Sequence, residues 1–226
     1  MKKESSNYAP LTALAGMIGP ALFVAVFLVE GWIRPGYNPL AEFVSALSLG
    51  GRGWVQMVNF VIFGLLLFAF TRAVAAEFSS GKASRWGLIL LTVIAVGYFV
   101  SGPSVMDPTG TPLADATFHG TLHGIMGGIV FLLMPIVIFV FWRRFRSDPK
   151  WQFLGGWTLA LGIICAVDDI FFTIVSKAPG LLASFNGWMG LIQRSVIIPF
   201  MIWVFVFALG LYRRSYQSLP SNLPQN

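Results

Sequence analysis

TFHGTLHGIMGGIVFLLMPIVIFVFW (117–142) contains no Asp, Glu, Lys or Arg. As an α-helix rising 1.5 Å per residue, it is long enough to cross the roughly 30 Å hydrocarbon core of a bilayer. It also carries both histidines of the chain, His119 and His123. The stretch therefore predicts a membrane-spanning helix with polar groups near one end.

Comparable apolar runs lie near 11–33, 54–76, 87–106, 153–175 and 191–212, which makes six spans. The chain has 226 residues, of which 56% are hydrophobic and only 11% charged, and its mean hydropathy is +0.76. A soluble domain of this length carries about a quarter charged residues. The fold class expected is all-α: a polytopic membrane protein built as a six-helix bundle over 10–214, between short polar tails at 1–9 and 215–226. Lysines precede the first span as they do in a signal peptide. Its apolar region is too long for one and lacks a small-residue cleavage site, so it reads as a retained span.

Basic residues orient the bundle. Lys2, Lys3, Arg72, Lys82, Arg85, Arg143, Arg144, Arg146, Lys150, Arg213 and Arg214 all fall on one side of a six-span path. Arg34, Arg52, Lys177 and Arg194 are on the other. The positive-inside rule then places both termini in the cytoplasm of a cell-membrane protein. The net charge of +6 reflects these scattered turns, which suit anionic lipid headgroups and form no groove for nucleic acid. Cys165 is the single cysteine and lies within span five, so no intrachain disulfide forms.

The outer loops hold more information than the inner ones. In RPGYNPLAEFVSALSLGGRG (34–53), Asn38 and Pro39 suit the start of a helix, and Leu40, Phe43, Val44 and Leu47 make one apolar stripe. The expectation is an interfacial helix over 38–49, acting as a lid or as an anchor, with Glu42 and Ser45 off the stripe; these two and Asp115 are the residues expected to contact a substrate. In the third outer loop, Thr111–Pro112 suggests that the next helix begins before the membrane. Asp115, His119 and His123 then follow at i, i+4, i+8 on one face, beside a Gly120, Gly124, Gly128 line that invites close helix packing.

Other ionisable residues reach the same depth: Glu30 at the end of span one, Asp107 at the end of span three, Asp168 and Asp169 in span five, and Arg194 in span six. Arg194 with Asp168 or Asp169 is the natural ion pair. His119 and His123 on successive turns supply two ligands for zinc or another divalent ion, which a carboxylate, Asp107 foremost or else Asp115 or Asp168, would complete with an open position for water. Haem is not expected, because two imidazoles on one helix cannot clamp both faces of the ring. The expected function is a polar pocket in the outer third of the bilayer. Its foremost reading is an enzyme acting on a lipid or lipophilic substrate, with Asp107, His119, His123, Asp168, Asp169 and Arg194 as the catalytic set. The alternatives are a lipid- or small-molecule-binding protein, a proton-coupled transporter, or a structural scaffold.

GYNPLAEFVSALSLGGRGW (36–54), NFVIFG (59–64), Asp107–Pro108 and the Gly/His opening at 119–128 resemble the bacterial and archaeal membrane family catalogued as domain of unknown function 998. The resemblance covers most of 11–212 and implies a six-helix integral membrane protein without assigning it an activity. A looser likeness is to the intramembrane hydrolase superfamily of alkaline ceramidases and progestin/adiponectin-type receptors. It implies comparable parts for Ser45, Asp107, His119 and His123, although this chain has only two histidines and six spans where that superfamily has seven.

Overall fold

A computed structural model describes residues 9–217. The two tails, 1–8 and 218–226, lie outside the described residues. Among those described the chain is all-helical, and six helices are long and apolar enough to cross a membrane. They are α1 (Ala9–Ile33), α2 (Gly53–Glu77), α3 (Lys82–Ser101), α4 (Phe118–Arg146), α5 (Gly155–Lys177) and α7 (Met189–Gln217), with a short α6 (Pro179–Phe185) leading into α7. Consecutive long helices pack as neighbours, and α7 returns to lie against α1 and α5. The protein is a multi-pass integral membrane protein.

The two ends of the bundle are closed differently. At the end holding the α2–α3 and α4–α5 turns, Phe78, Phe141, Phe145, Trp151, Trp203 and Phe207 form one buried aromatic cluster. The Phe141 and Phe207 rings are 5.0 Å apart, and Phe145 stacks on Trp151 at 5.6 Å. The Trp151 indole donates to Glu77 at 3.0 Å, and Glu77 also pairs with Arg214. Rigid aromatic rings with few rotamers make up the core of this end.

At the opposite end a segment of chain does the closing. The interfacial helix expected over 38–49 is shorter than anticipated, a 3-10 turn over Val44–Ser48. It does not lie on the surface: Val44, Ser45, Ala46, Leu47 and Ser48 are all buried. Leu40 remains exposed, so the apolar stripe is split between two environments. Asn38 still starts a turn, its Oδ1 accepting from Leu40 N at 3.0 Å and its carbonyl from Glu42 N at 2.8 Å. That turn cannot grow into an α-helix because its next carbonyls are taken by α7. The amides of Gly190 and Leu191 donate to the carbonyls of Ala41 and Leu40 at 3.2 and 2.9 Å.

Gly190 makes this approach feasible. A Cβ there would collide with the carbonyl oxygens of Glu42 and Pro39. Gly190→Ala is therefore expected to lower stability by about 1–3 kcal/mol, the usual cost of overpacking. Gly180→Ala, whose Cβ would meet nothing within 4 Å, is expected to lose none. Thermal unfolding of the detergent-solubilised variants separates the two, and equal midpoints would mean that the loop does not dock on α7.

Candidate functional site: a cleft between two helices

The polar residues at the loop-closed end divide into separate groups. Glu30, only 4% exposed, is held by two arginines: Arg52 Nη2 at 2.6 Å and Arg34 Nη2 at 3.1 Å. Arg34 also donates to the Leu49 carbonyl at 3.0 Å. This group straps the loop across α1 and α2 and has a structural role.

Arg194 makes a second group, and here the expected ion pair is corrected. Its guanidinium is bonded to neither Asp168 nor Asp169. Nη1 donates to the carbonyls of Pro39, Gly190 and Glu42 at 2.7, 2.8 and 3.0 Å, and Nη2 to the Tyr37 hydroxyl at 2.6 Å. The Phe27 and Tyr37 rings lie 5.7 and 5.9 Å from its carbon. Burial pushes the Tyr37 phenol above its usual pKa, with Arg194 opposing. The hydroxyl therefore keeps its proton, accepts from Arg194 and donates toward the carbonyls of Glu42 and Phe43. The physical reason for the correction is that the loop supplies several carbonyl dipoles within reach, a geometry that a planar fork of donors fits well.

Asp107 makes the third. Its Oδ2 accepts from Thr117 N at 3.0 Å and its Oδ1 from the Thr117 hydroxyl at 2.8 Å. Thr117 in turn caps α4 by accepting from Gly120 N at 3.0 Å. Gly120 must be glycine, since a Cβ would sit on the Asp107 carboxylate. This double cap starts α4 at Phe118 instead of Pro112. Asp115 belongs to an isolated turn, Leu113–Asp115, and is exposed, so the Asp115–His119–His123 ladder is not formed. Glu42 turns back to its own loop, where Oε1 accepts from Asn38 N at 2.8 Å.

The histidines also part company. His119, in the first turn of α4, is exposed and touches only the Phe118 ring among the aromatics. His123 faces inward against Phe60, with ring centroids 5.8 Å apart. Its Nδ1 is 2.7 Å from the Ser104 carbonyl. A carbonyl can only accept, so Nδ1 carries hydrogen and Nε2 of the neutral ring holds the lone pair. Among the described residues no three His, Cys, Asp or Glu side chains gather as a metal site would require. His119, His123 and Asp107 thus do not converge.

What His123 does border is a cleft of about 600 Å³ between α4 and α5. One stripe of α4 faces it, Gly120, His123, Gly124, Gly127 and Phe131, and one stripe of α5, Asp169, Phe172, Thr173, Ser176 and Lys177. Phe43 and Ser45 of the loop and Gln193 of α7 line it as well. The glycine line was expected to be filled by a neighbouring helix, but a Cβ on Gly124, Gly127 or Gly128 would meet nothing within 4 Å. Further along, α4 and α5 do meet: Gly162 lies against Ile138 and Phe139. Phe131 and Phe172, 5.3 Å apart, sit where the helices diverge. Two helices clamped at one end and wedged by rings at this point leave a V-shaped gap.

The cleft adjoins a smaller chamber of about 40 Å³, which shares Ser45, His123, Gly127, Phe131 and Gln193 and adds Tyr98 and Ser101. Gln193 carries no sequence signal of its own, being a single uncharged polar residue at the start of a long apolar run. It is 7% exposed, and its Oε1 accepts from Val44 N at 2.7 Å. Asp169, 8% exposed, lines the cleft, and one of its carboxylate oxygens, Oδ1, is buried and has no hydrogen-bond partner among the described residues. Asp168 turns aside toward the Ser195 hydroxyl of α7.

Six apolar spans, a tucked loop and a lateral cleft define a polytopic membrane protein with an amphipathic cavity among its helices. The chain belongs to the family described as "Protein of unknown function (DUF998)", whose model matches residues 17–210. Neither a curated protein nor a solved structure matches it.

Arg194→Lys is expected to cost about 2 kcal/mol, because an ammonium cannot reproduce the fork of charge-assisted bonds. Combined with Asp169→Asn, the losses should add within about 0.5 kcal/mol, as for residues without shared partners. A double-mutant unfolding cycle with coupling above about 1 kcal/mol would restore the ion pair.

Proposed function

We propose that this protein binds an amphiphilic molecule in the cleft between α4 and α5, taking it from the membrane. The observation that carries the reading is the bare glycine wall of α4 facing open space at Gly124, Gly127 and Gly128. Helices that need only to pack fill such a groove. Here the cleft pairs apolar walls with polar groups at one end, the usual make-up of a small-molecule site. Polar groups so placed among spanning helices are costly and mark function more often than they mark packing.

The orientation that supports this reading has both termini in the cytoplasm and the cleft in the outer leaflet of the cell membrane. Lys82, Arg85, Arg143, Arg144, Arg146, Lys150, Arg213 and Arg214 then face the cytoplasm. A cysteine introduced within 108–114 is expected to react with an impermeant thiol reagent on intact cells; labelling only after lysis would invert the topology.

A second reading extends the first and makes the protein an enzyme on such a ligand. What favours it is His123, anchored through Nδ1–H with Nε2 available as a base. In that case His123→Gln would retain the ligand and lose its turnover.

Binding itself has a direct test. A photoactivatable long-chain alcohol in nanodiscs is expected to crosslink to peptides spanning 120–132 and 169–177. Gly127→Phe should abolish that crosslinking while the thermal midpoint stays within a few degrees. Crosslinking spread evenly over all helices, unchanged in Gly127→Phe, would refute the cleft as a ligand site.

A further inference from the structure

The cleft holds a buried acid that the rest of the bundle does not use. Asp169 is 8% exposed, and Oδ1 finds no hydrogen-bond partner. The arginine expected to neutralise it is spent on the loop carbonyls. A carboxylate left without a partner in such a place costs several kcal/mol by the general magnitudes for buried polar groups. A structural acid would have been given a donor, as Asp107 was.

The surroundings of Asp169 indicate what would complete it. Phe43, Phe131 and Phe172 line the same cleft. Phe172 meets Phe43 edge-on, with centroids 5.9 Å apart, and Phe131 at 5.3 Å. Aromatic faces beside a carboxylate are the combination that recognises organic cations, through ring quadrupoles and a charge-assisted hydrogen bond together. The two other charges bordering the cleft are Asp107, committed to Thr117, and Lys177. Lys177 is exposed and stands eight residues along α5, about 12 Å from Asp169 at the helical rise. His123 spends Nδ1–H on the Ser104 carbonyl, and Arg194 points its guanidinium into the loop. The inner part of the cleft thus presents one carboxyl group without a partner, that of Asp169.

We infer that the cleft selects amphiphiles with a cationic ammonium head, which binds Asp169 among the rings of Phe43, Phe131 and Phe172 while the alkyl chain lies along the glycine face of α4. This rests on the reading of the cleft as an amphiphile site and names the chemical class it takes. The head is that of an amine-bearing lipid or of a free long-chain amine.

The test displaces the photoactivatable alcohol from protein in phosphatidylglycerol nanodiscs, whose lipid has no ammonium. Lauryl amine, lauryl alcohol and laurate share one chain and differ in the head. The amine is expected to displace the probe about tenfold more tightly than the alcohol, with laurate weakest. Asp169→Asn should bring amine and alcohol within about twofold, and Asp169→Glu should restore the preference. Equal displacement by all three in the wild type, with crosslinking still confined to the cleft, overturns the ammonium inference and leaves the amphiphile site standing. No cleft crosslinking at all defeats both. Doping the nanodiscs with phosphatidylethanolamine distinguishes the sources: competition assigns the site to a lipid head, and its absence to the free amine. An Asp169→Asn variant that keeps the full amine preference also overturns the inference.

Discussion

Arg194 carries a full positive charge into a helix bundle without taking a carboxylate as partner. Three backbone carbonyls and a tyrosine hydroxyl surround its guanidinium, and those carbonyls belong largely to the loop between α1 and α2. Desolvating the charge is costly, and the loop offsets that cost by presenting several dipoles at once. In return the loop is held down, its amides and carbonyls satisfied by α7 in place of a helix of its own. Val44 and Leu47 become core, and Phe43, Ser45 and Gln193 are delivered to the edge of the cleft. Without that cation the loop would have unsatisfied carbonyls within the bundle, and the cleft would lose its back wall.

The cleft is then a consequence of unequal closure. Aromatic stacking around Trp151 and Phe207 clamps one end of α4, α5 and α7. Toward the other end Phe131 and Phe172 wedge α4 from α5, and the glycines beyond them leave the gap unfilled. Pro135, one turn further along α4, removes a rung of the hydrogen-bond ladder near this fork. Glycine lines in membrane helices commonly allow close packing. In this bundle a similar line yields space, because the neighbouring helix is held away by larger residues below it.

The fold separates charged groups that the sequence places at one depth. Seven ionisable residues that share a depth in the sequence prove to be three structural devices, one exposed histidine and an aspartate, Asp168, turned toward Ser195, with His123 and Asp169 left at the cleft. Glu30 straps the loop, Asp107 caps α4 through Thr117, and Arg194 gathers carbonyls. The residues that remain are those whose hydrogen-bonding capacity is incomplete, and incompleteness next to a cavity is a better guide to ligand chemistry than shared depth.

Much of the architecture was legible in the chain itself. Six apolar runs, each long enough for a bilayer, require helices because an unpaired backbone is intolerable in hydrocarbon. The basic turns and the glycine spacing of α4 follow from local pattern alone. What the sequence could not settle was competition among distant partners. Arg194 could pair with Asp168, Asp169 or the loop, and only the fold brought Pro39, Glu42 and Tyr37 to it. Pro112 and Phe118 could each begin α4, and the choice fell to Asp107, ten residues before Thr117. Whether the glycines would close on a helix or open on a cleft depended on rings of α4 and α5 meeting in space. Periodicity is a property of neighbouring residues, whereas partnership in a bundle is decided by side chains far apart in sequence that reach the same few ångströms.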